Sequence, residues 1–287
     1  MVNSKKKKRR TKKVRRPAAV KWIMSVVVCC CAVWLFVHDL LYYPAPQEED
    51  KVVAYALKTT GAKPEIPQLQ NGMKEQIIFH EGYTVSYNPD YKIANWVAYE
   101  LTADETTGKA KRSDNFVPDP MIAEEETATK DDYSKSGYDR GHLAPAGDMK
   151  WSDKAMQESF YLSNICPQDK GLNTGIWNSL EIQCRKWAAI HGSLLIVTGP
   201  VMKDSLRRIG AHRVAIPDSF YKVICIPSAG KPRGIGFLFE NRSYVKTSIS
   251  STAVSIDSVE KVTGIDFFSS FPLEVQEEME SSAQWEY

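Results

Sequence analysis

The feature that constrains this chain most is a nearly unbroken apolar run, WIMSVVVCCCAVWLFVHDLLYY, from Trp22 to Tyr43. Its length is close to the roughly 20 residues that cross a bilayer core as a helix. Trp22, Trp34, Tyr42 and Tyr43 sit mostly toward its ends, where aromatic rings favour the membrane–water interface. The arm before it, MVNSKKKKRRTKKVRRPAAVK (residues 1–21), contains no acid and holds eleven of the 37 Lys and Arg residues. Positive charge is retained on the cytoplasmic side. The run therefore reads as one N-terminal transmembrane helix (22–43), a single-pass anchor with its N-terminus cytoplasmic and the rest extracytoplasmic, in a periplasm or at the cell exterior. His38 and Asp39 would be costly at the bilayer centre but tolerable near the outer end. The same residues also fit a signal peptide whose apolar core, Trp22 to Val37, is cleaved, or an organelle-targeting segment. No clear small-x-small cleavage site follows Val37.

With 287 residues and 43% apolar composition, enough chain remains after the run to bury one full core. The net charge of +2 conceals an asymmetry. From residue 40 onward, 26 basic side chains face 34 acidic ones, a balance near −8. Global charge does not attract a polyanion to such a body, so any nucleic-acid site must be a local basic cleft. Cys29, Cys30 and Cys31 fall inside the apolar run, and Cys166, Cys184 and Cys225 in the body. No CxxC pair or Cys/His zinc spacing exists. The body cysteines could pack as buried apolar groups or form one disulfide in an oxidising compartment, and the sequence does not select a pair.

Residues 44–72 are rich in Pro and polar groups and read as a linker, leaving 73–287 as the folded domain. Segments 76–87 and 91–102 alternate apolar and polar residues around an NPD turn, the pattern of a strand pair. Residues 103–137 read as a long loop with little regular structure. Ser152 is a candidate N-cap for a short helix through Glu158, and FYLSNICP follows as a short extended piece. From Thr174 to His191 apolar residues recur at three- and four-residue spacing and Gly192 terminates the pattern, predicting a helix. LLIVTGPV (194–201), FYKVICIP (220–227) and GIGFLFEN (234–241) read as buried strands, and 251–264 and 272–281 as helices. The fold class is α+β, with a mostly antiparallel central sheet and flanking helices.

Two segments carry chemistry. In YDRGHLAPAGDM (138–149) a Gly separates Arg140 from His142. Histidine is the side chain suited to take a proton from water near neutral pH, and Arg offers a charged fork matched to phosphate. An isolated Arg-Gly-His triplet is nevertheless common, and a lone His is more often structural. In FYLSNICPQDKGLNTGIWNSLE (160–181), Asn173, Trp177 and Glu181 follow at four-residue steps on one helical face. An Asn carbonyl and a carboxylate there are hard oxygen donors of the type Mg²⁺ accepts. By spacing alone, a helix N-cap at Asn173 and a surface charge at Glu181 are the favoured reading. Lys109, Lys111 and Arg185 read as solvated charges.

Taken together, DRGH with LAPA, then FYLSN, PQ and N-x-G-x-W-x-x-LE, resemble the sugar-nonspecific DNA/RNA endonuclease family, whose members include secreted bacterial nonspecific nucleases and mitochondrial endonuclease G. NWVAYEL (95–101) and VTGP (197–200) are similar to flanking pieces of that family, and the resemblance spans about residues 76–270. It implies a ββα-metal finger and a Mg-dependent endonuclease that hydrolyses phosphodiester bonds of DNA and RNA, with Mn²⁺ able to substitute. It also implies roles for single residues: His142 as general base, Asn173 as the one direct protein ligand of Mg²⁺, Glu181 holding waters of the metal, and Arg140 contacting phosphate. Arg112, in KAKRSDNF, aligns more loosely with an arginine that stabilises the charged transition state. Asn164 and Asp139 take supporting roles, and the products implied carry 5′-phosphate and 3′-hydroxyl ends. The competing class is a catalytically inactive nuclease-like domain that binds nucleic acid or protein at the membrane. A zinc nuclease of the HNH type is disfavoured by the missing CxxC and second histidine. The oligomeric state, monomer or homodimer, is open.

Overall fold

The computed structural model describes residues 63–70, 72–203, 207–228 and 231–283. The expected arm and anchor lie outside the described residues, and among the described residues no helix is long and apolar enough to cross a membrane. The strands are β1 (Gln68–Leu69), β2 (Gln76–Phe79), β3 (Thr84–Asn88), β4 (Ile93–Thr102), β5 (Asp139–His142), β6 (Ile165–Gln168), β7 (Ser193–Val201), β8 (Arg208–Ile209), β9 (Val214–Ala215), β10 (Ser219–Ile226), β11 (Arg233–Glu240), β12 (Ala253–Val254) and β13 (Ile265–Asp266). The helices are α1 (Asp153–Glu158), α2 (Lys170–Leu172), α3 (Asn178–His191), α4 (Ile256–Thr263) and α5 (Leu273–Glu280).

Seven strands make one antiparallel sheet in the order β12-β11-β10-β7-β4-β3-β2. Its two faces are both covered, which is why the central strands read as nearly continuous apolar runs. On β10, Phe220, Ile224 and Ile226 enter one core while Tyr221, Val223 and Cys225 enter the other. α3 lays Leu180, Cys184, Trp187 and Ala188 on the first face. α4 and α5 cover the second with Ile256, Val259 and Met279, beside Phe267 and Phe268. The first face carries the candidate site.

Several local details differ from the sequence reading. Segment 76–87 is not one strand: His80 donates its N–H to the Tyr83 carbonyl across a turn at Glu81–Gly82, so 76–102 is a three-stranded meander. Segment 251–264 contains the edge strand β12 before α4 begins at Ile256. Gln68 and Leu69, from the stretch read as linker, pair with Asp266 and Ile265. The short helix after Ser152 forms as expected, its hydroxyl accepting the N–H groups of Lys154 and Ala155. The three body cysteines are free and buried, filling core positions.

Candidate active site

The site grows from a two-stranded ribbon and the helix that follows it. β5 pairs antiparallel with β6, setting Gly141 against Cys166 and His142 against Ile165. Gly141 is required by proximity, because a Cβ there would collide with the Gln168 side chain. Beyond β6, Asp169 caps α2 by accepting the N–H groups of Gly171 and Leu172. Asn241 secures the same corner, accepting the Asp169 N–H at 2.7 Å and donating to the Pro167 carbonyl at 3.0 Å. The chain then makes a π-type turn, Asn173–Trp177, with Gly175 at non-helical φ −100° and ψ −115°, before entering α3. The expected helix from Thr174 is thus kinked in its first turn. Such turns recur at functional sites because they displace one side chain from the helical ladder.

These elements bring Arg112, Arg140, His142, Asn173 and Glu181 to the wall of one cleft of about 500 Å³. The amide nitrogen of Asn173 donates to Asp139 Oδ2 at 3.1 Å, which turns its carbonyl oxygen free of that bond and available to a cation. Asp139 is therefore an orienting group. Asn164 does not line the cleft. It is fully buried, accepts the Ala144 N–H and donates to the carbonyls of Ala144 and Ser159, all at 2.9 Å. These bonds hold the chain just after His142, which is a positioning role.

His142 is 9% exposed, and its Nε2 is buried without a protein hydrogen-bond partner. Two rings clasp it: Phe160 edge-on at 4.8 Å between centroids and Phe116 at 5.5 Å. Each ring carries an arginine on its face, Arg112 at 4.9 Å over Phe160 and Arg140 at 4.3 Å over Phe116. Arg112 is also paired with Asp114 at 2.6 Å. Burial, with the two guanidinium groups adding to it, pushes the His142 imidazole down to about 3, so the ring is neutral at physiological pH.

Beneath Glu181 lies a charged cluster that the sequence reading missed. Arg185, taken there as a solvated charge, lines the cleft and pairs at 2.6 Å with the buried Asp148, which also accepts the Tyr99 hydroxyl at 2.9 Å. Lys222 of β10 is fully buried, with its ammonium 4.8 Å over the Trp177 ring and 3.5 Å from the Leu143 carbonyl. Burial pushes the Glu181 carboxyl up to about 7, although Lys222 and Arg185 pull it down. The signal that could have found Lys222 was present: a lysine at the same strand parity as Phe220 and Ile224 has to enter the core face.

Residues 61–274 match the family described as DNA/RNA non-specific endonuclease. The mitochondrial nuclease EXOG of Xenopus laevis is 35% identical over 239 residues, covering 78% of this chain and 63% of that protein. Human mitochondrial endonuclease G is 32% identical over 211 residues, covering 67% of this chain and 69% of that protein. A chain in the crystal structure of the EndoG/EndoGI complex superposes with a TM-score of 0.66 at 30% identity, covering 79% of this chain and 94% of its own length. With a family match that spans most of the described body and a ribbon-and-helix cleft holding the residues its motifs name, the chain belongs to the DNA/RNA non-specific endonucleases.

Proposed function

We propose that this chain is a Mg²⁺-dependent endonuclease that hydrolyses the phosphodiester bonds of DNA and RNA without strong sequence preference. The observation that carries this reading is the cleft itself: a neutral histidine between two arginines, across from an asparagine whose amide nitrogen is already engaged by Asp139. The donors fit the metal, since an Asn carbonyl and a carboxylate are hard oxygens and one protein ligand suits a Mg²⁺ that keeps several waters. When bound, Mg²⁺ supplies Lewis-acid stabilisation of the charge that develops on the phosphate and leaving oxygen.

The remaining steps belong to the chain. His142 takes the proton of the attacking water at a ring nitrogen, and the Phe116–Phe160 clasp keeps the imidazole in one orientation. Arg140 and Arg112 bind the phosphate and neutralise charge gained in the transition state. With a metal held at Asn173, Glu181 would accept hydrogen bonds from the metal's waters. These contacts go to phosphate, which positions a substrate but carries no sequence information, so weak base preference follows. The test is digestion of plasmid DNA and of RNA by the purified chain in Mg²⁺, in Mn²⁺ and in EDTA. Cleavage of both polymers in either metal and none in EDTA is expected; cleavage undiminished by EDTA contradicts the metal assignment.

The same reading places the body outside the cytoplasm, held by residues 22–43. Its support is the acid-free basic arm ahead of the apolar run. Protease added outside intact cells should remove the body and spare the arm, whereas full protection or a shortened free form would overturn the anchor.

A further inference from the structure

On the sheet face opposite α3, the fold collects carboxylates that the cleavage chemistry does not use. Asp257 and Glu260 of α4 and Glu280 of α5 each place an oxygen within 4.8 Å of the others. Glu280 is 5% exposed, and its Oε1 is buried with no hydrogen-bond partner. Among the described residues no ion pair reaches any of the three. Glu280 is also the last residue of α5, whose final turn has no basic side chain, so the negative end of the helix dipole adds to the carboxylate charge. Burial, then Glu260, Asp257 and Asp266, push the Glu280 carboxyl up to about 8.

An unpaired buried carboxylate is costly, and it is relieved by a proton or by a cation. Two features favour the cation. Three carboxylates lie together, with Glu260 also accepting the Phe267 N–H, and a proton relieves only one of them. One oxygen of each carboxylate also lies within 4.8 Å of the others, and Ca²⁺ tolerates irregular all-oxygen geometry, whereas Mg²⁺ requires a tighter octahedron. α4 and α5 already meet over β11, where Gly234 leaves room for Ile256 and Met279. We propose that Asp257, Glu260 and Glu280 form a Ca²⁺ site that clasps α4 to α5, separate from the catalytic cleft.

The test is thermal unfolding of the full chain carrying Asn173→Ala, which removes the catalytic metal ligand, first in EDTA and then in excess CaCl₂. At a hundredfold excess over Kd, Tm should rise by roughly 5–10 °C. Glu280→Gln in the same background should lose this rise and, at pH 8.5, show a higher metal-free Tm than its parent. Asp257→Asn, at an exposed position, should also lose most of the rise and serves if the Gln variant fails to fold. A parent Tm unmoved by Ca²⁺ overturns the site and leaves Glu280 as a protonated carboxyl. A rise that survives both substitutions overturns it as well, by placing the ion elsewhere.

Discussion

Glu181 shows how single residues here trade stability for chemistry. Its carboxyl titrates at about 7 in the folded chain against an ordinary value of 4.5. The folded state thus holds the proton more tightly, a contribution fully present below about pH 4.5 and lost as pH rises through about 7. Glu181→Gln should therefore raise the Tm of the metal-free chain at pH 8, leave it nearly unchanged at pH 4, and lower the cleavage rate. Lys222 and Arg185 oppose Asp148 and Glu181, two cations against two carboxylates. Removing one buried charge leaves its partners uncompensated, so Lys222→Met should cost on the order of 3 kcal/mol in denaturant unfolding. Adding Glu181→Gln should restore part of it, and strict additivity of the two changes would refute the coupling. His142, Arg140 and Asn173 were legible in sequence because their motifs are local. Arg185 was not, because its pairing with Asp148 joins α3 to a turn 37 residues earlier in the chain; strand parity places Lys222 on the core face, but not the Trp177 ring it meets there.

At the scale of elements, the site is held by hydrogen bonds from residues that never touch substrate. Asn164 ties Ala144 and Ser159 together behind His142, and Asp119 gathers the His80 ring, the Ser163 hydroxyl and the Met121 N–H to pin the long loop onto the meander. Asn164→Ala strands buried donors and acceptors, each worth about 1–3 kcal/mol, and should lower both stability and kcat. Ser152→Ala removes the α1 cap and the hydroxyl's hydrogen bond to Glu81, and should cost about 1–2 kcal/mol while leaving kcat intact. Equal effects of the two on kcat would show that Asn164 does not position His142. Continuous apolar runs revealed the central strands, and three- and four-residue spacing revealed α3, which buries Leu180, Cys184, Trp187 and Ala188. Neither could reveal the turn at Glu81–Gly82 or the kink at Gly175, where backbone geometry overrides the side-chain pattern.

Over the whole molecule, a body near −8 from residue 40 onward must bind a polyanion through a confined basic cleft. Affinity for nucleic acid should fall steeply with salt, because each phosphate neutralised releases a counterion. A binding constant indifferent to salt between about 50 and 200 mM would place recognition outside the Arg112–Arg140 cleft. The acidic remainder repels nucleic acid elsewhere, which limits nonproductive binding. The central claim, that this cleft cuts through His142 and the metal oriented by Asn173, is tested most directly by single-turnover cleavage of one plasmid and one RNA in Mg²⁺. Wild type should cut both, and His142→Ala and Asn173→Ala, each folded by circular dichroism, should each be slower by roughly 10²–10⁴-fold. Wild-type rates from either variant, or an inert wild type that is well folded, would contradict the account.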